Sequence, residues 1–282
     1  MDSLKDYKIA VIGAGVIGGA IADALSPYCQ VMATRRSKEK LEEIKKKGIE
    51  TTQDNVAAAT WADVVVVAVK PKQIVPVLQE ITSAIEDKLV ISFAAAISLD
   101  IMRRVAPRSR FIRAMTNIAA IVRKGYTVYA YGGEVLQKDI ALAEAIFANL
   151  GEARAVDEQF LDVLTAMSGS GPAYIYTVVE SMIYGALRMG LPRDLALQAA
   201  AHTAIGASHL LLASGKHPAE LRDLVVTPGG VTIEGIYELE ESRIRTAFMK
   251  AISAASVKAQ QFSEDARVQA EKTLGDISEG SD

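Results

Sequence analysis

The sequence predicts an α/β fold, with an N-terminal doubly wound parallel sheet followed by an all-α domain. Three observations predict it. Short β-branched runs alternate with helical patterns from Lys8 to Val156. A glycine turn, Gly13-Ala14-Gly15-Val16-Ile17-Gly18, closes the first run and opens the first helix. From about Asp157 the β-branched runs stop and long Ala- and Leu-rich helical patterns take over. The change of texture divides the chain into two expected domains, 1–157 and 158–282. A length of 282 residues is too much for one small core and natural for two.

The elements follow in order. Lys8 to Ile12 reads as the first strand and Val16 to Ser26 as the first helix, with a second strand from Gln30 toward Thr34-Arg35-Arg36. Ser37 caps a helix over Lys38 to Lys47 that stops at Gly48. Asp63 to Val69 is a valine run of the kind buried on both faces, and Lys70-Pro71 ends it. Helices are expected over Gln73–Ile85, Leu99–Val105 and Glu134–Leu150. Strands are expected over Leu89–Phe93, Arg110–Met115, Thr127–Tyr131 and Ala153–Val156. Past the break, helices span Pro172–Leu187, Arg193–Ala213, Thr232–Glu240 and Ser242–Phe262, with a short one starting at His217-Pro218. From about Gly275 the tail is small and acidic and reads as disordered.

The glycine turn and the strand after it carry the first functional signal. Gly13 permits a sharp exit from the strand, Gly15 lets backbone approach a pyrophosphate, and Gly18 lets helix pack on strand. The uncompensated N–H groups and positive end of the helix favour phosphate. This is a Rossmann-type dinucleotide site. Chains that bind NAD usually place Asp or Glu at the end of the second strand for the ribose 2′-hydroxyl. Here Thr34, Arg35 and Arg36 stand there, and a guanidinium fork suits a 2′-phosphate. NADPH is therefore the favoured cofactor, with NADH possible. Ligands of such sheets sit off the carboxyl ends of the strands, which puts Gly13–Gly18, Lys70-Pro71, Ala94–Ala96 and Met115-Thr116-Asn117 along one edge.

Composition bounds the rest. Half the residues are apolar and 23% charged, an ordinary globular balance. A net charge of −3 gives no reason to expect nucleic acid or an anionic membrane. Cys29 is the only cysteine, so an internal disulfide is impossible, and a reducing cytoplasm is the expected location. Met1-Asp-Ser-Leu-Lys-Asp6 has no apolar signal core, and Ala173–Leu187, interrupted by Glu180, is too short to span a bilayer. The helical domain carries more apolar surface than one globule hides, so a dimer interface is expected. His202 and His209, seven apart, suit helix packing, and His217 suits a helix start. Two glycine-rich breaks, Ser168-Gly-Ser-Gly-Pro172 and Thr227-Pro-Gly-Gly-Val-Thr232, each precede a helix and offer N–H groups to a small carboxylate. No carboxylate pair or metal-ligand cluster suggests other chemistry, so no metal is expected.

Over nearly its whole length the chain resembles the pyrroline-5-carboxylate reductases. The carriers are Ala68-Val69-Lys70-Pro71, Met115-Thr116-Asn117, Ser168-Gly-Ser-Gly-Pro-Ala-Tyr174, Gly190-Leu-Pro-Arg193, His217-Pro218 with Leu221-Arg222-Asp223, and Thr227-Pro-Gly-Gly-Val-Thr-Ile-Glu-Gly235. The resemblance implies reduction of (S)-1-pyrroline-5-carboxylate to L-proline with NAD(P)H, and an all-α dimerisation domain assembled as a dimer or ring of dimers. It implies that Ala14, Val16 and Ile17 line the pyrophosphate turn and that Thr34 and Arg35 lie at the adenosine ribose or its phosphate. Asn55 is implied as a cofactor contact, with Ala68, Val69, Lys70, Pro71 and Ala95 along the cofactor. Thr227, Gly230, Val231 and Thr232 are implied for substrate, with Glu158 near it. The chain departs from the family in Ile118-Ala119 after Asn117, in Thr227 where a serine is usual, and in Leu224 where some members carry asparagine.

Imine reduction needs a hydride donor at near-attack distance, a fixed carboxylate, and a hydrogen bond or proton for the nitrogen. The N–H groups around Gly230 suit the carboxylate. The Thr232 hydroxyl is the candidate catalytic group, orienting and relaying to the ring nitrogen with water as proton source. Its bland alternative is a helix N-cap. Alternatives for the whole chain are a reductase of another cyclic imine and a non-catalytic NADP(H) sensor.

Overall fold

A computed structural model of the chain describes residues 4–279. It divides into two compact units, Met1–Ser170 with Ala255–Asp282, and Gly171–Ala254. The first helical stretch after residue 157 and the last part of the C-terminal helix thus group with the sheet, where the sequence suggested a single break at 157.

The sheet unit has eight strands: β1 (Lys8–Ile12), β2 (Gln30–Thr34), β3 (Glu50–Thr52), β4 (Val64–Val67), β5 (Leu89–Ser92), β6 (Arg110–Met115), β7 (Gly125–Tyr131) and β8 (Gly151–Ala155). Their order is 3-2-1-4-5-6-7-8. The β3 edge strand was not foreseen. Its three residues are too few to show a period. A second correction concerns β7, which runs antiparallel to β6 (Met115 opposite Val128), while every other pair is parallel. The link between them holds only a 3₁₀ turn, Ile118–Val122. A parallel return needs a crossover of a dozen residues or more, and this one is too short.

Strand pleating sorts the core. Ile9, Val11, Val64, Val66, Leu89 and Ile91 go to one face with α1 (Val16–Leu25) and α6 (Gln137–Phe147). Ala10, Ile12, Val65, Val67 and Val90 go to the other with α3 (Asn55–Trp61), α4 (Pro71–Ile81) and α5 (Leu99–Val105). All four valines of β4 are fully buried, each contributing roughly 1.5 kcal/mol or more. Side chains cap α2 (Lys38–Lys45), α3 and α5: Ser37, Asp54 and Ser98 each accept from the backbone N–H three residues on. α7 (Leu161–Leu164) leads into a π-helical turn, Thr165–Gly169.

The helical unit holds α8 (Gly171–Arg188), α9 (Arg193–Ser214), α10 (Pro218–Asp223), α11 (Val231–Glu241) and the start of α12 (Ile244–Glu279). α12 continues past Gly275, so the expected disorder there gives way to helix. Residues 280–282 lie outside the described part. His217 caps α10, Nδ1 accepting the Ala219 N–H at 3.2 Å while Glu220 accepts the His217 N–H. By length and composition α9 is the one described helix that could cross a bilayer.

Candidate active site

β1, the glycine turn and α1 form a candidate dinucleotide site in the sheet unit. Gly13 sits at φ +91°, where a side chain would be strained, and a Cβ there would press on Val69 and the Ala68 carbonyl. A Cβ on Gly18 would run into the Gly13 carbonyl, so helix and strand can approach only with glycine at that place. Gly15 differs, because a Cβ there would meet only open space beside Gly13. The cradle it leaves fits a bulky anion.

The hydrogen bonds of the turn show which donors remain. The Gly13 and Ala14 N–H groups both donate to the Thr34 carbonyl, at 3.2 and 2.8 Å, and Gly15 donates to Gly13. Among the described residues the N–H groups of Val16, Ile17 and Gly18 have no acceptor, and no side chain caps α1. Side chains cap α2, α3 and α5, whereas α1, like α4, has none, and the free N–H groups of α1 directly follow the glycine turn, a helix start suited to an anion.

Thr34 is buried, and its hydroxyl receives the Gly13 N–H at 3.3 Å and donates to Asn55 Oδ1 at 2.7 Å. Asn55 in turn donates through Nδ2 to Glu80. Arg35 turns back on the glycine turn, Nη1 donating to the Ala14 carbonyl at 2.8 Å. A cavity of about 410 Å³ opens beside these groups, lined by Gly13, Gly15, Thr34, Arg35, Arg36, Asn55, Ala68, Val69 and Lys70 of the expected set. Lys70 is exposed three residues past β4 and occupies the N-cap of α4, with Pro71 as the first helical residue. Ala95 is exposed in the loop after β5, and its neighbour Ala96 is held at φ +71°. The residues that sequence reasoning missed are Ile12, Ser37, Gln53, Gln73 and Val77, which also line the cavity. Gln53 follows the unforeseen β3. Gln73 lies one turn past Lys70-Pro71, a spacing that was available but unused.

Glu158 lies in a 3₁₀ turn after β8. Its Oε1 accepts the Leu99 N–H at 2.8 Å and the Arg113 Nη1 at 3.1 Å, and Arg113 also pairs with Asp162. Arg113 is buried away from solvent screening, so its charge is compensated by the two carboxylates, and the triad ties α5 to the segment after β8.

The two glycine-rich breaks behave differently. The first is no open helix start. The backbone stays helical through it, Ser170 N–H donates to Thr165, and Asn117 Nδ2 donates to the Ser168 carbonyl at 3.2 Å. The second is a true turn. Gly229 sits at φ +67°, and the Gly230 N–H is already given to the Thr227 carbonyl at 3.0 Å. A Cβ on Gly230 would collide with the Thr227 hydroxyl. Gly230 occupies the N-cap of α11 and has no side chain to cap with, so Thr232 is the second helical residue rather than the cap. Among the described residues the N–H groups of Val231 and Thr232 and the Thr232 hydroxyl have no partner. Val231 is almost fully exposed.

Residues 158–262 match the family model for pyrroline-5-carboxylate reductase dimerisation, and residues 8–96 match that for NADP oxidoreductase coenzyme F420-dependent. A pyrroline-5-carboxylate reductase of Pisum sativum is 35% identical, over 91% of this chain and 96% of its own length. Among solved structures, the Plasmodium falciparum pyrroline carboxylate reductase with NADP bound superposes with a TM-score of 0.85 at 26% identity, covering 93% of this chain and 100% of that one. The Coxiella burnetii pyrroline-5-carboxylate reductase gives 0.83 at 34% identity, over 92% and 99%. The chain therefore belongs to the pyrroline-5-carboxylate reductase family of NAD(P)-dependent oxidoreductases.

Proposed function

We propose that this chain reduces (S)-1-pyrroline-5-carboxylate to L-proline, the final step of proline biosynthesis, with NADPH as the preferred cofactor. When bound, the reduced nicotinamide supplies the hydride that goes to the imine carbon. The chain's own residues do the rest. The N–H groups of Val16, Ile17 and Gly18 bind the pyrophosphate at the start of α1. Thr34, Arg35, Arg36 and Asn55 hold the adenosine end, and Ala68, Val69, Lys70, Pro71 and Ala95 lie along the remainder of the cofactor. Val231 and Thr232 hold the substrate carboxylate at the positive end of α11, with Thr227 and Gly230 shaping the turn. The Thr232 hydroxyl hydrogen-bonds the ring nitrogen and passes a proton from water to it as the hydride arrives, which leaves a neutral secondary amine. Glu158 stays in the substrate set on the family resemblance, its Oε2 the atom not already engaged.

The observation that carries this reading is the pairing, at one helix start, of an unused hydroxyl with two unused N–H groups. Buried or capped threonines spend their hydroxyls, and this one has not. The test is NADPH oxidation with pyrroline-5-carboxylate in wild type and Thr232→Ala. Loss of one transition-state hydrogen bond is expected to lower kcat by about 10²-fold, with cofactor KM little changed. Absence of turnover with either nicotinamide cofactor would sink the proposal. Undiminished kcat in the variant would remove Thr232 from it.

A further inference from the structure

We infer that Gln73 sets the preference for a 2′-phosphorylated cofactor by aiming Arg36 without cancelling its charge, an inference that rests on the cofactor reading above. The two arginines after β2 look equivalent in sequence, but their surroundings differ. Arg35 is half-buried and spends Nη1 on the Ala14 carbonyl, so it braces the glycine turn that any dinucleotide uses. Arg36 is exposed, and its main-chain carbonyl accepts Gln53 Nε2 at 2.6 Å. Its guanidinium meets the Gln73 amide. In the amide orientation that satisfies both partners, Gln73 Oε1 accepts from Arg36 Nη2 at 2.8 Å and Nη1 at 3.2 Å.

The type of partner matters. A carboxylate at residue 73 would fix the guanidinium equally well and neutralise it, and it would repel a phosphate. A neutral amide fixes it and leaves the whole charge available. Among the described residues neither arginine is in an ion pair, and the cavity they line contains no acidic side chain. Among the described residues Arg36 keeps further N–H donors with no acceptor, the fork geometry that matches phosphate oxygens. Gln73 lies in the first turn of α4, where glutamate is well tolerated next to the positive helix end, so Gln73→Glu is expected to fold.

The experiment titrates wild type, Gln73→Glu, Arg36→Ala and Arg35→Ala with adenosine 2′,5′-bisphosphate and with AMP by calorimetry, and measures KM for NADPH and NADH. Gln73→Glu and Arg36→Ala are each expected to weaken the bisphosphate about tenfold or more relative to AMP, the worth of one charged contact, and to move the KM ratio in the same sense. Arg35→Ala is expected to weaken both nucleotides alike. The inference is overturned if Gln73→Glu affects both ligands equally or neither, or if Arg35→Ala carries the discrimination. A wild type that binds the two nucleotides equally would instead overturn the cofactor reading beneath it.

Discussion

Single residues in this chain divide into those whose polar atoms are spent and those left open. Thr34 and Thr232 are both threonines at an element boundary. The first is buried with its hydroxyl bonded on both sides, and the second sits at a helix start with its hydroxyl free. Cys29 is the residue-scale case for chemistry that is absent. Burial pushes its thiol from 9.0 up to about 11, and its Sγ donates only to the Leu25 carbonyl. The native state therefore holds the proton that the unfolded chain releases. Its contribution to stability is whole below pH 9 and falls as pH rises from there through about 11. At pH 8 the native thiol is expected to react with a disulfide reagent about a hundredfold more slowly than free cysteine, from thiolate fraction alone. Labelling at the free-cysteine rate would show that Cys29 is open to solvent.

At the scale of elements, charge and connection length decide more than propensity. Arg113 sits in the middle of β6, where the sequence reads only as one more strand residue. Its partners Glu158 and Asp162 lie more than forty residues on, beyond the reach of any local pattern. The triad holds the start of α5, because the Glu158 oxygen bonded to Arg113 also receives the Leu99 N–H. Arg113→Met leaves two carboxylates without their cation. Both are partly wetted, so the expected loss is about 2 kcal/mol, below that of a fully buried pair. Urea denaturation measures it, and an unchanged midpoint would mean that water already solvates the acids. The same long-range dependence explains the missed β3 and the reversed β7. A three-residue strand has no period, and strand direction is set by the length of the link rather than by the strand's own residues.

For the molecule as a whole, the helical unit poses the question. α8 and α11 have no buried residue, and α9 has only Ala196 and Ala200. Met189, Leu210, Leu212 and Tyr237 all stand exposed. A unit with so little interior does not hold together by its own core, and the family match over 158–262 is to a dimerisation segment. The exposed apolar side chains of α9 are accordingly the face to test for a second copy of the chain. Leu212→Asp would place a charge on that face and is expected to shift the assembly toward monomer in sedimentation equilibrium, with loss of helical content in the unit. An unchanged mass would mean the contact is made elsewhere.

The sequence by itself determined the alternation of strands and helices, the glycine turn, the arginines after β2 and the glycine-rich turn before α11. Each is written in neighbouring residues, where side-chain period, backbone freedom and helix capping act. Tertiary structure alone decided which hydrogen-bonding groups were left over. Gly230's N–H proved spent and Thr232's hydroxyl unspent, the Ser168–Pro172 stretch proved helical, and Arg35 and Arg36 parted company through Ala14 and Gln73. The physical reason is that a polar group's availability depends on what the fold brings within about 3 Å of it, and those partners come from residues the local pattern does not reach.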